Sequence, residues 1–312
     1  MNAKMRAVVI REYGNNDVVR IEEVDRPEPA AGEMLVKVHA AGINPIDWKI
    51  RSGAGQRMGM TLPIQMGGEL VGTIAQLGTG VVDFKQGEAV FGMVHTGAFA
   101  EYAVVKAANM VRVPSNLDVV QSAALPLAGS TVWQAIFNEA GLVSGQRLLI
   151  TNSSGGVGSL AVQFAKAKGA HVTAVASARN EAFVRSLGAD EFIDYTSQPF
   201  EQAARNMDVV LDTAGGETFQ RAFQTLKKGG VMVTVVAFPG GEAEQFGVSV
   251  KRSFTTPSAQ NLTAIKSLVE FGKVTPHVDA VFPFEEIKQA LALSEAGRAR
   301  GKIVLEFSNH RA

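Results

Sequence analysis

Between residues 147 and 238 the chain alternates short apolar runs with segments of helix length, and this alternation constrains the fold more than any other feature of the sequence. The runs are 147–151 (RLLIT), 171–177 (HVTAVAS), 191–195 (EFIDY), 208–212 (DVVLD) and 230–238 (GVMVTVVAF). They are nearly unbroken rather than alternately polar, as strands buried on both faces require. Such strands separated by helices predict a doubly wound α/β domain built on a parallel sheet. Further helices are expected over 259–271 and 284–296, with a last strand over 302–307 (KIVLEF).

The first third reads differently. Residues 5–10 (MRAVVI), 34–39 (MLVKVH), 70–76 (LVGTIAQ) and 98–105 (AFAEYAVV) are strand-like runs between turn-rich stretches. Pro27, Pro29 and Gly32 punctuate one of those stretches, and Gly78, Gly80 and Gly87 another. This spacing predicts a compact β-barrel or sandwich that gives way to the α/β pattern near Pro114. A length of 312 residues suits roughly two domains.

Composition narrows the function by exclusion. With 46% hydrophobic and 19% charged residues the chain is an ordinary globular one. It has no cysteine, which removes disulfides, cysteine-ligated clusters and thiol nucleophiles. Thirty basic side chains balance thirty acidic ones, so neither nucleic acid nor an anionic membrane is an expected partner. The opening residues lack a secretory apolar core and no 18-residue apolar run occurs, so a cytoplasmic location is expected. His39, His95, His171, His277 and His310 are scattered without ligand spacing, and no bound metal is expected.

The chemistry concentrates after the run RLLIT, in NSSGGVGSLAVQFAKAKGA. Gly156-Val157-Gly158-Ser159-Leu160-Ala161 matches the G-x-G-x-x-G/A pattern between a predicted strand and an amphipathic helix. On this reading Gly156 permits the tight turn, Gly158 lets backbone approach a pyrophosphate, and Ala161 lets the helix pack on its strand. Ser154, Gly155, Gly156, Val157 and Gly158 then bind phosphate through the helix N-terminus; the alternative is a glycine-rich turn with no ligand. The ribose-reading position should follow about 20 residues on. There the chain has Ser177 and Arg179 rather than a carboxylate, which favours NADP(H) over NAD(H), unless Arg179 is simply solvated.

Seven blocks, AAGINPIDWKIRSG (40–53), LPIQMGGELVGTI (62–74), GAFAEY (97–102), AALPLAGSTVWQAI (123–136), SGGVGSLAVQFAKAKGA (154–170), LGADEFIDY (187–195) and GKIVLEF (301–307), resemble in order the medium-chain dehydrogenase/reductase superfamily. The chain most closely resembles its zinc-free quinone oxidoreductase branch, which includes zeta-crystallin and plant enone and alkenal reductases. The resemblance implies a GroES-like β-barrel catalytic domain over 1–121, an NADP-binding Rossmann domain over 122–260 and a C-terminal return over 261–312. It also implies an active cleft between the domains and a homodimer. Zinc-dependent relatives place a cysteine where this chain has Asn44 and a histidine where it has Gly68, while Glu69 matches the acidic position that follows. A Lewis-acid zinc is therefore not expected.

The activity so implied is hydride transfer from NADPH to a quinone or an α,β-unsaturated carbonyl. Conjugation spreads the arriving charge to an oxygen that hydrogen bonds can hold without a metal. An NADPH-binding structural or regulatory protein with little turnover, and a zinc-free alcohol dehydrogenase, are the alternatives. The implied catalytic residues are Asn44, Asp47, Lys49 and Tyr13. Asn44 either donates through its amide to the nicotinamide ribose or substrate oxygen, or is satisfied by its own turn. Asp47 is alternatively a turn or N-cap carboxylate. Lys49 stands where quinone reductases of the branch often carry tyrosine; it either supplies a proton or faces solvent, and water can serve instead. Tyr13 lines the pocket or is a rim aromatic. Thr131 matches a threonine beside the nicotinamide, or is a helix-buried hydroxyl. Tyr195 matches a position bordering the adenosine phosphate, or is a packed strand-end aromatic, and Phe238 matches one where backbone contacts the nicotinamide.

Overall fold

In the computed structural model, which describes residues 3–307, the chain forms two units. The first holds the chain up to Leu127, then Pro257–Lys266 and the chain from Pro276 onward; the second holds Ala128–Thr256 and Ser267–Thr275. Against the expected boundaries, residues 122–127 and 257–260 lie in the first unit and 267–275 in the second.

The first unit is organised by one long strand. Strands β1 (Lys4–Ile10) and β2 (Val19–Asp25) pair antiparallel, and β3 (Glu33–Ile43) leads to helices α1 (Pro45–Lys49) and α2 (Gly55–Arg57). Short β4 (Ile64–Gln65) joins β1, while β5 (Glu69–Leu77), β6 (Ala89–Met93), β7 (Tyr102–Lys106) and β8 (Met110–Arg112) extend the sheet of β3. Residues 34–40 of β3 pair with β5, and residues 33–37 pair with β7. On the edge shared with β7, residues 40–43 take the last strand of the chain. Valines and isoleucines from these strands form the core with Phe99, Phe284 and Leu305. A fully buried arginine, Arg51, donates from Nε to Gly14 O (3.2 Å) and from Nη2 to Glu295 Oε2 (2.8 Å), which ties down the loop that carries Tyr13.

Helices α3 (Val119–Ala123) and α4 (Pro126–Val132) lead into the second unit, α4 continuing as a π-helical turn over Trp133–Glu139. There β9 (Arg147–Ile150), α5 (Gly156–Ala167), β10 (His171–Ala176), α6 (Glu181–Ser186), β11 (Glu191–Asp194), α7 (Phe200–Ala203), β12 (Met207–Asp212), α8 (Gly216–Ala222), β13 (Leu226–Thr234), α9 (Glu242–Phe246) and β14 (Ser249–Arg252) alternate as the sequence predicts. The sheet is wholly parallel in the order β11-β10-β9-β12-β13-β14. Strand order reverses between β9 and β12, the place where open α/β sheets bind ligands at their carboxyl edge. Then α10 (Ala259–Glu270), β15 (Val278–Pro283), α11 (Ile287–Glu295) and β16 (Lys302–Glu306) follow, with β16 antiparallel to residues 40–43 of β3. KIVLEF thus completes the sheet of the first unit.

Two expected strands differ. Of 98–105, only residues from Tyr102 are strand; Ala98–Glu101 instead bridges β1 and the Met66 segment, through Val8 N to Phe99 O (2.8 Å) and Phe99 N to Met66 O (2.9 Å). The run 230–238 ends at Thr234, whose hydroxyl accepts from Val236 N (3.2 Å) and Ala237 N (2.9 Å) and turns the chain. Phe238 therefore stands on a loop beyond the strand. No helix among the described residues is long and apolar enough to cross a membrane.

Candidate active site

In the first unit, Asn44 stands where β3 gives way to α1, and Pro45 opens that helix. Asp47, three residues on, reaches back to accept the Asn44 N–H (2.7 Å). The Asn44 side chain is 3% exposed, Glu69 0% and Lys302 4%, so two formal charges are buried around one amide. Asn44 Nδ2 donates to Glu69 Oε1 (2.7 Å) and to Gly42 O (3.2 Å). Lys302 Nζ donates to Glu69 Oε1 (2.8 Å), to Ile43 O (3.4 Å) and to Asn44 Oδ1. The other Glu69 oxygen accepts the N–H of Leu127 in the first turn of α4 (2.7 Å). Gly42 makes room for this arrangement, since a Cβ there would lie 2.1 Å from Glu69 Oε1.

The donor role implied for Asn44 is not available in this geometry, because both Nδ2 hydrogens are used inside the protein. What remains is acceptance by Oδ1. Asp47 is a back-capping carboxylate at the third helical position rather than an N-cap. Burial pushes its carboxyl up to about 7, against the pull of the Asn44 N–H and the Lys302 charge, and Glu69 adds to the rise. Between its ordinary 3.8 and about 7, folded Asp47 keeps a proton that the unfolded chain has lost, so the stability tied to it falls as pH rises through that window. From pH 6 to pH 8 this one group costs about 1 kcal/mol. Asp47→Asn keeps an oxygen for the Asn44 N–H and removes the titration. Thermal denaturation should show wild type losing about 2 °C more than the variant between these pH values; equal pH slopes would contradict the burial argument.

Lys49 and Tyr13 do not join this cluster. Lys49 Nζ lies 5.5 Å from the ring centroid of its neighbour Trp48, and the Tyr13 hydroxyl donates to Met60 O (3.1 Å). Gly68 is not demanded by packing, because a Cβ there would meet only Leu127 Cδ1 at 3.6 Å and Val94 O at 3.9 Å, ordinary contacts. Among the described residues no group of three His, Cys, Asp or Glu side chains converges; His310 lies outside them.

In the second unit the glycine loop lies at the carboxyl edge of β9. Asn152 takes a left-handed conformation (φ 49°) and its carbonyl accepts Gly155 N (3.1 Å), while Ser153 N reaches Val175 O on β10 (3.0 Å). Ser154 is buried behind this turn. Gly155 caps α5 with no side-chain hydrogen bond, so the amides of Gly156, Val157 and Gly158 open a 12-residue helix uncapped, as anion binding requires. The residues present fit a dinucleotide pyrophosphate. At Gly158 a Cβ would lie 2.3 Å from Asn152 O, so this glycine admits the helix to its own loop.

Neighbouring strand ends bring Ser177, Arg179 and Tyr195 to the same edge. Tyr195 N bonds Ala176 O (3.3 Å), and Ser177 Oγ accepts from Asn180 Nδ2 (3.2 Å). Arg179 is exposed on the 3-10 turn that follows β10, and Tyr195 is 55% exposed. Sequence reasoning missed Asp194, whose carboxylate accepts Ala178 N (3.1 Å) and the Thr196 hydroxyl (2.7 Å). The Thr196 hydrogen bonds hold its carboxyl below the usual range. It also missed Asp212, fully buried, which takes the Thr151 (3.0 Å) and Thr234 (2.8 Å) hydroxyls and Gly215 N (3.0 Å), bracing three central strand ends. The motif LDTAGG, ending an apolar run, was the available signal. Thr131 bonds the Thr255 hydroxyl (2.6 Å), and Phe238 is 80% exposed with the Arg252 guanidinium 3.8 Å from its ring centroid.

A parallel sheet in this order, together with a β unit that recovers the last strand of the chain, is the fold of dehydrogenases and reductases of two domains. Residues 30–115 match the family described as alcohol dehydrogenase GroES-like domain, and residues 187–305 the family described as zinc-binding dehydrogenase. The chain is 34% identical to NAD(P)H oxidoreductase RTN4IP1, mitochondrial, of Danio rerio, over 97% of this chain and 91% of that one. It is 34% identical to NADPH-dependent alkenal/one oxidoreductase, chloroplastic, of Arabidopsis thaliana, over 97% and 79%. The structure of the quinone oxidoreductase from Coxiella burnetii superposes with a TM-score of 0.91 at 32% identity, over 97% of this chain and 99% of that chain. The chain belongs to the medium-chain dehydrogenase/reductase superfamily, in its quinone oxidoreductase branch.

Proposed function

We propose that this protein is a reductase that uses NADPH to reduce a quinone or an α,β-unsaturated carbonyl without zinc. The observation that carries the reading is the Asn44–Glu69–Lys302 network in a chain whose relatives include a quinone oxidoreductase and an alkenal/one oxidoreductase. At the positions of the missing zinc ligands stand an amide engaged by a carboxylate and an ammonium, and a glycine. That set offers no thiolate or imidazole to a metal. Acceptors that delocalise incoming charge are the ones such a site can serve.

When bound, NADPH supplies the hydride. The α5 amides receive its pyrophosphate, Ser177 and Arg179 its 2′-phosphate, and the segments of Thr131, Tyr195 and Phe238 complete its contacts. Lys49 or water returns the proton. A homodimer belongs to the proposal because, among the described residues, β14 ends the six-stranded sheet with one neighbour only, flanked by exposed Phe238 and Phe254. An open strand edge with aromatic flanks suits pairing with a second copy. Sedimentation should give twice 33.1 kDa. A cytoplasmic setting is part of the reading because a chain without cysteine has nothing to gain from an oxidising compartment. The two curated relatives are named as organellar, and fractionation of the host cell decides.

The test is NADPH oxidation against a quinone panel and an enone panel, with alcohol-driven NADP⁺ reduction as the counter-assay. Turnover in either panel supports the proposal. Tight NADPH binding with turnover in neither would favour a regulatory or structural protein, and turnover confined to alcohols a zinc-free alcohol dehydrogenase.

A further inference from the structure

Lys302 stands in the last strand of the chain, 258 positions from Asn44, and shares its buried surroundings. An ammonium can only donate hydrogen bonds and a carboxylate can only accept them. Asn44 is held between one of each: its Nδ2 faces Glu69 Oε1 at 2.7 Å and its Oδ1 faces Lys302 Nζ. The amide can therefore take only one of its two orientations, with the NH2 turned inward and the oxygen as the sole group left for a ligand. Gly42 reinforces this from the other side, by accepting the second Nδ2 hydrogen (3.2 Å) and by leaving space for the carboxylate.

We infer that Lys302 is a positioning residue that, with Glu69, fixes Asn44 as a hydrogen-bond acceptor for a donor group of the cofactor, such as a ribose hydroxyl or carboxamide N–H. The inference rests on the proposed use of NADPH and on the family resemblance, which implies that Asn44 lies beside the nicotinamide ribose. It assigns Asn44 to cofactor placement and takes it out of the stabilisation of charge on the acceptor oxygen, which needs a donor. Lys302 acts only through Asn44 and touches neither ligand.

The experiment is a double-mutant cycle read by NADPH fluorescence titration, independent of turnover. Lys302→Met alone leaves Glu69 as a buried unpaired charge and is prone to misfold. The pair Glu69→Gln with Lys302→Met removes both charges together, keeps an oxygen for Leu127 N–H, and lets the amide of Asn44 turn over. Its thermal denaturation midpoint establishes that it folds. The NADPH dissociation constant of this folded pair should rise about 10–100-fold, with the KM of the electron acceptor changed by less than about threefold. In an Asn44→Ala background the same pair should add nothing further, which a merely structural role would not produce. Wild-type NADPH affinity in the folded pair, or losses that add fully to that of Asn44→Ala, would overturn the inference. If wild type turns over no quinone or enone, the proposed activity fails, while the binding cycle still decides the role of Lys302.

Discussion

Arg179→Ala is expected to weaken NADPH binding by about 10–100-fold and NADH binding by no more than about twofold, the size of one or two charge-assisted hydrogen bonds to a phosphate. Only NADPH carries the 2′-phosphate, so the loss should fall on that cofactor alone. The position is poised for it. Arg179 lies exposed one turn past β10, and Tyr195 follows the neighbouring strand, its N–H on Ala176 O. Asp194 is committed there to Ala178 N (3.1 Å) and Thr196, and its negative charge would oppose a phosphate without an arginine to offset it. Fluorescence titration with both cofactors measures the effect directly. An equal loss for NADH and NADPH would refute the assignment of NADP(H).

Gly158→Ala should abolish measurable dinucleotide binding, a loss of at least about 100-fold, and lower the melting temperature. The new Cβ would lie 2.3 Å from Asn152 O and 2.6 Å from Ser153 Cα, and both are backbone atoms that cannot swing aside. Either the loop or the start of α5 must move. Overpacking of this kind costs about 1–3 kcal/mol in stability, and the displaced amides no longer converge on one phosphate, which is the larger penalty. Isothermal titration with NADPH and a melting curve of the variant check both effects. A variant that binds NADPH like wild type would show that the loop relaxes at no cost.

The parallel sheet was legible because its strands are apolar on both faces, a pattern that survives without knowing their neighbours. Strand ends were less so. At Thr234 a side-chain hydroxyl, not a break in hydrophobicity, turns the chain and leaves Phe238 on a loop. The residues 98–101 look like a strand but spend their backbone hydrogen bonds on two other segments. Of the candidate site residues, Gly156, Gly158 and Arg179 stood out because local turn and helix chemistry dictates them. Lys302 and Arg51 did not: a lysine opening KIVLEF reads as solvated, and its carboxylate partner is 233 positions away. Arg51 likewise closes on Glu295, 244 positions distant. Charges that are buried by partners from remote strands leave no local periodicity to read.

Isotope labelling follows the hydride itself. Purified protein is supplied with NADPH deuterated at the transferred position and with an enone, and the product is analysed by mass spectrometry and NMR. The expected product is a saturated ketone carrying one deuterium on the carbon β to the carbonyl, with the α-carbon proton drawn from solvent, and the same outcome after exhaustive chelation of zinc. Deuterium delivered instead to the carbonyl carbon, giving an allylic alcohol, or turnover that chelation abolishes and zinc restores, would contradict it.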